Sequence, residues 1–184
     1  MSSSSDLIRL KPKTTLKNKK KSLIKILYIE PGVDEKEGSR VLEKCTESLD
    51  EYCFSFTVVP NGFVGLECTE HTCFDLIIVQ SSMPQIRALE FLHILRTVGA
   101  PTSVVLLVDL TITDEWCDIE ESRAKELGFT AILRKPFSTN HLCTLLKNIL
   151  DEAEAEMNEK RDSLSAFKLI ANTASASSSS ADKS

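Results

Sequence analysis

Four short stretches bring together side chains able to hold a cation, grip an anion or move a proton: Glu30-Pro31-Gly32, Gln80-Ser81-Ser82, Val108-Asp109, and Arg134-Lys135-Pro136-Phe137. Glu30 and Asp109 supply two carboxylates, a weak cation site without a third, because hard divalent ions take six or more oxygens. Lys135 supplies a compact positive charge suited to a phosphate or a carboxylate. Gln80 offers only a neutral amide, which neither forms an acyl phosphate nor adds negative charge around a metal. Ser81 and Ser82 carry hydroxyls open to a kinase, although adjacent serines in a loop are more commonly plain polar connectors. His71, His93 and His141 fall on separate segments, and none has a neighbour in sequence that suggests catalysis. The six cysteines (45, 53, 68, 73, 117 and 143) include no CxxC pair and no His/Cys cluster of metal-ligand spacing, so they read as core or surface thiols of a reducing compartment. Neither a metal nor another cofactor is expected.

These stretches close short apolar runs, and the runs set what can be near what. Strands are expected at 24–29, 54–59, 76–79, 104–108 and 131–133, separated by segments with apolar residues recurring at three and four. Val41, Leu42, Cys45 and Leu49 mark a first helix, Asn61 and Gly62 the start of a second, and Leu89, Leu92 and Arg96 beside Phe91 and Leu95 a third. A fourth is expected from about 114 to 127, ending at Gly128 as a left-handed cap, and a fifth after Ser138. The order is (βα)5, hence an α/β domain with a doubly wound, five-stranded parallel sheet over residues 23–150. In such sheets ligands gather outside the carboxyl ends of the strands, which is where the four stretches fall.

ILYIEP, NGFVGLE, FDLIIVQSSMP and AILRKPF together resemble the response-regulator receiver domain over about two thirds of the chain. The most specific pairing is DLIIVxxxMP followed about 50 residues later by a strand ending in KPF. The resemblance implies a flavodoxin-like fold in which acidic residues after the first strand and an aspartate after the third hold Mg²⁺. That aspartate accepts a phosphoryl group, gripped by a hydroxyl after the fourth strand and a lysine after the fifth. Carried over residue by residue, Glu30 and Pro31 take the acidic pair, Gln80 the acceptor, Val108 (or Asp109, one residue on) the hydroxyl, and Lys135 the lysine. Pro31 has no coordinating side-chain oxygen and Gln80 no nucleophilic carboxylate, so phosphotransfer and enzymatic activity are not expected. Ile132 stands where the family usually has a switching aromatic, and the Met-Asp-Gly that typically follows Met-Pro is missing, Met83-Pro84 being followed by Gln85, Ile86, Arg87 and Ala88. Lys135 is expected to pair with Glu30 or to bond Gln80 and nearby backbone, Pro136 to fix its loop through a cis bond, and Ser82 to line the degenerate pocket.

The 184-residue chain has 42% hydrophobic and 27% charged residues and a net charge of −5, values of an ordinary soluble globular protein. Residues 1–22 are basic and aperiodic, with Lys11, Lys13, Lys17, Lys19, Lys20 and Lys21, and read as a disordered tail; residues 172–184, rich in Ser and Ala, read likewise. Residues 151–171 hold good helix formers without Gly or Pro and read as a helical extension, in which apolar residues thin out and return at Leu164, Phe167, Leu169 and Ile170. No apolar run is long enough to span a bilayer and no secretory signal is evident, so an intracellular, cytoplasmic or nuclear location is expected, with organelle import through the basic tail as the alternative. Nucleic acid is not expected as a partner beyond weak attraction to that tail, whose lysines have no interleaved aromatics. A degenerate, phosphorylation-independent receiver that binds protein partners in signal transduction is the leading expectation. Its contact face is expected to include Ile132, Arg134, Phe137, Phe167 and Ile170. Rival readings are a structural subunit of an assembly held by the tails, and a nucleotide or small-ligand binder on the same sheet. The last is opposed by the lack of GxGxxG or GxxxxGK[ST] after any strand.

Overall fold

A computed structural model describes residues 21–111 and 116–177, with 167 and 169–177 described by backbone alone. Strands β1 (Ser22–Ile29), β2 (Tyr52–Val59), β3 (Leu76–Gln80), β4 (Ser103–Asp109) and β5 (Ala131–Lys135) alternate with helices α1 (Glu35–Thr46), α2 (Gly62–His71), α3 (Ala88–Thr97), α4 (Glu121–Glu126) and α5 (Thr139–Ser177). Every strand pairing is parallel, in the order β2-β1-β3-β4-β5. The doubly wound α/β sheet expected from the periodicity is therefore the one observed, and β3, buried at all of its residues, is the sort of continuous apolar run that a sheet covered on both faces requires.

Alternation along the strands divides the core in two. Leu27, Ile29, Ile77, Val79, Leu106, Val108 and Ile132 pack with Phe91, Leu92 and Leu95 of α3 and Ala124 of α4. Ile26, Tyr28, Ile78, Val105, Leu107 and Leu133 pack with Leu42 of α1 and Leu142, Leu146 and Ile149 of α5. Two helix starts are fixed by short polar side chains: Asp34 Oδ1 accepts from the Lys36 and Glu37 amides, each at 3.1 Å, and Asn61 Oδ1 from the Val64 amide at 3.0 Å.

Three expectations need correction. The first helix ends at Thr46, whose hydroxyl donates to the Leu42 and Glu43 carbonyls, so Leu49 lies beyond it and Val41 is exposed. The fourth helix has six residues and starts at Glu121; of the residues expected ahead of it, 114 and 115 lie outside the described residues. Trp116 instead tucks edge-on against Phe129 with centroids 6.2 Å apart, and the Ile119 carbonyl is taken by the Arg134 guanidinium, so this segment forms a turn that fills the core. Finally, α5 continues through the Ala-containing stretch to Ser177, past the expected end at 171, in keeping with alanine's helix propensity. The basic tail expected at 1–22 falls on residues 1–20, outside the described residues, and on the start of β1; residues 178–184 also lie outside them.

Gly128 closes α4 at φ +101°, a conformation that costs an L side chain about 1–2 kcal/mol. Gly128→Ala is accordingly expected to lower the unfolding free energy by about 1–2 kcal/mol in chemical denaturation, with the m-value unchanged.

Candidate functional site

The carboxyl ends of β1, β3, β4 and β5 converge at one edge of the sheet, beside the β1/β3 switch in strand order. Glu30, Gln80, Asp109 and Lys135 each lie two residues after a member of the α1/α5 layer (Tyr28, Ile78, Leu107 and Leu133), so the period of two sends all four polar side chains to that side. Val108 goes the other way and is fully buried in the α3/α4 layer. The fourth-strand position of the pocket thus belongs to Asp109, aligned with Lys135 in the β4–β5 pairing, and the assignment to Val108 is corrected by one residue.

Glu30 is 7% exposed, and both of its carboxylate oxygens are taken: Oε2 by the Tyr28 hydroxyl and Oε1 by Lys135 Nζ. Its amide donates to the Val59 carbonyl at 3.1 Å, which fixes the backbone that presents it. Asp109 is turned to local use, since Oδ1 accepts from the Thr111 amide at 2.9 Å and from the Thr111 hydroxyl at 2.6 Å. Gln80 is 5% exposed, and its Oε1 is buried with no hydrogen-bond partner among the described residues. Ser81 is buried, its amide donating to the Leu107 carbonyl at 2.8 Å, whereas Ser82 and Pro31 are half-buried. The Lys135-Pro136 bond is cis, and Pro136 is exposed. A groove of about 360 Å³ opens beside this cluster against α1, lined by Val33, Val41, Leu42 and Phe137 as well as Glu30 and Lys135.

Sequence reasoning missed Tyr28. Its position two residues before Glu30 was the available signal, because that spacing puts both on one face. Burial, then the hydrogen bond to Glu30 and the negative charges of Glu30 and Asp109, push the Tyr28 hydroxyl well above the ordinary phenol range. Above pH 10 the unfolded chain loses this proton while the folded one keeps it, so the group's contribution to stability, complete below pH 10, falls as pH rises. The stability of the protein is therefore expected to decline between about pH 10 and 11 less steeply in Tyr28→Phe than in the natural chain, as read by denaturation midpoints across that range.

The expected contact face does not assemble as one surface. Ile132 is buried in the α3/α4 layer, Arg134 is engaged with the Ile119 carbonyl, and Phe137 packs against the opposite layer. The side chains of Phe167 and Ile170 lie outside the described residues. His71, His93 and His141 are exposed on three different helices, and all six cysteines are free thiols. Among the described residues no helix is long and apolar enough to cross a membrane.

No protein-family model matches the chain. Among curated proteins, the transcription factor SKN7 of Candida albicans is 26% identical over 120 residues, covering 65% of this chain and 21% of its own length; the chain thus spans about a fifth of that relative. Solved structures align over nearly their whole length. The receiver domain of Francisella response regulator 1452 is 22% identical, with TM-score 0.53, over 71% of this chain and 98% of its own. A response-regulator receiver domain from Clostridium thermocellum gives 19%, 0.57, 72% and 98% for the same measures. The fold is that of a response-regulator receiver domain. A third neighbour, the receiver domain of a sensor histidine kinase from Pseudomonas aeruginosa, is 18% identical with TM-score 0.54 over 71% of this chain and 99% of its own, and holds a magnesium ion in its active-site cleft.

The donor set at the same edge of this chain's sheet does not fit such an ion. Of the positions that would ligate it, Pro31 has no side-chain donor, Gln80 is neutral, and Glu30 already gives both oxygens to Tyr28 and Lys135. No group of three or more His, Cys, Asp or Glu side chains placed to hold a metal occurs among the described residues. The buried Gln80 oxygen is a lone neutral acceptor, far short of the several oxygens a hard cation needs.

Proposed function

We propose that this receiver-fold chain is a degenerate, phosphorylation-independent interaction module in signal transduction, without enzymatic activity, that acts by binding other proteins. The observation that carries this reading is the closed network Tyr28–Glu30–Lys135 beside Gln80. In a phosphotransfer pocket the lysine must be available to the phosphate and the acid to the metal; here each neutralises the other, and the acceptor position holds an amide. What remains is a fixed, paired end of the sheet whose conformation does not depend on an added charge. That the similar curated protein is a transcription factor supports a regulatory setting over a metabolic one.

Affinity capture with the full chain, repeated with a small phosphodonor and Mg²⁺ present, tests the proposal. The same partners in the same amounts are expected under both conditions, whereas partners gained or lost with the phosphodonor would refute it. A nucleotide-binding role on the same sheet would instead show as a thermal shift with nucleotides, and none is expected.

A further inference from the structure

Beyond Leu150, the last residue of α5 buried in the domain core, the helix continues for 27 residues, about 40 Å. Every residue from 151 to 166 is exposed, including Met157 at 60% and Leu164 at 56%. The apolar spacing does not stop where the domain does. Leu146 and Leu150 are followed at alternating steps of three and four by Ala153, Met157, Lys160, Leu164, Phe167 and Ala171, a heptad seam interrupted only by Lys160.

We infer that this extension pairs with the same segment of a second copy of the chain as an antiparallel coiled coil. Two observations fix the occupant and its direction. The seam continues the stripe with which Leu142, Leu146 and Leu150 face their own sheet, so the amino-terminal part of a parallel partner helix would collide with the domain; an antiparallel partner places its domain at the far end. Charge is also segregated along the helix: residues 151–159 carry five acids and no base, while 160–168 carry Lys160, Arg161 and Lys168 against Asp162 alone. Parallel copies would set acid against acid, whereas antiparallel copies set each acidic half against a basic one. Centred near Asp162, this pairing puts Glu154 opposite the second copy's Lys168, Met157 opposite the level of its Phe167, and Leu164 against the stem of its Lys160, a residue whose ammonium lies 3.8 Å from Glu156.

Sedimentation of the full chain across a dilution series at low salt tests this. A concentration-dependent dimer is expected, weakened about tenfold or more by Leu164→Glu, with the thermal midpoint of the domain unchanged because the site is exposed. Glu154→Lys alone and Lys168→Glu alone are each expected to self-associate less than the natural chain. An equimolar mixture of the two is expected to recover the dimer, since in the antiparallel mixed pair both 154–168 contacts again join opposite charges. A monomer throughout the series, a dimer indifferent to Leu164→Glu, or a mixture no stronger than its components would overturn the inference.

Discussion

Replacing Lys135 by methionine is expected to lower the unfolding free energy by about 2–3 kcal/mol, read as a fall in the denaturation midpoint with the m-value unchanged. Glu30 is buried against the end of the sheet, and Lys135 is the cation that compensates its charge there. Removing the lysine leaves a buried carboxylate with only the Tyr28 hydroxyl as donor. The cost stays below that of a fully interior pair because the Lys135 side chain is 23% exposed, so water supplies part of the lost solvation. Removing the charge on both sides, with Glu30→Gln together with Lys135→Met, is expected to recover most of the loss: the glutamine oxygen still accepts from Tyr28 and the methionine keeps the apolar stem. This non-additivity distinguishes a structural ion pair from a lysine held in readiness for phosphate, whose removal would cost little stability.

Restoring the acceptor is expected to harm the protein without reviving chemistry. Gln80→Asp introduces a carboxylate at a position only 5% exposed, near Glu30 and Asp109 at the same edge of the sheet. The one lysine of the pocket is already committed to Glu30. Desolvation and the neighbouring negative charges oppose its ionisation, so a loss of about 2 kcal/mol is expected at pH 7. The folded state holds this proton to a higher pH than the unfolded one, so the penalty is absent below the unfolded carboxyl pKa of about 4 and grows as pH rises above it. Gln80→Glu, which preserves shape and changes only charge, is expected to move stability in the same direction. Neither variant is expected to gain Mg²⁺-dependent phosphorylation, because position 31 remains a proline and Glu30 remains paired. Robust labelling of Gln80→Asp would mean that the pocket lost a single residue and kept the rest in working order.

The fold was legible because its signals are local and periodic: five apolar runs, two helices with apolar stripes, the side-chain cap of Asn61, and Gly128, which acts through backbone geometry. What misled was locally plausible helix without tertiary context. Residues 116–120 have no glycine or proline to stop a helix, yet burial of Trp116 against Phe129 and the Arg134 bond to Ile119 hold them out of one. That Gln80 and Pro31 stand where the receiver resemblance implies an acceptor aspartate and an acidic residue is plain in the sequence itself. The strand 4 assignment could not, since a run such as VVLLVD carries no internal mark of which residue faces which layer; only the pairing with β5 decides for Asp109. Tyr28 was overlooked because a tyrosine inside an apolar strand looks like core. It is core, and its hydroxyl nonetheless occupies one oxygen of the pocket's principal acid. Ile132 and Arg134 were assigned to a contact face by their place on the last strand, but their parity directs them inward, under α4 and its preceding turn.

The proposed function requires that the pocket at the carboxyl edge of the sheet take no phosphoryl group. Intact-mass spectrometry of the full chain after incubation with excess small-molecule phosphodonor and Mg²⁺ tests it most directly, with a phosphorylatable receiver domain run in parallel to show that the donor is active. No Mg²⁺-dependent mass increase is expected for this chain. A stoichiometric increase of one phosphoryl group that requires Mg²⁺ would contradict the claim.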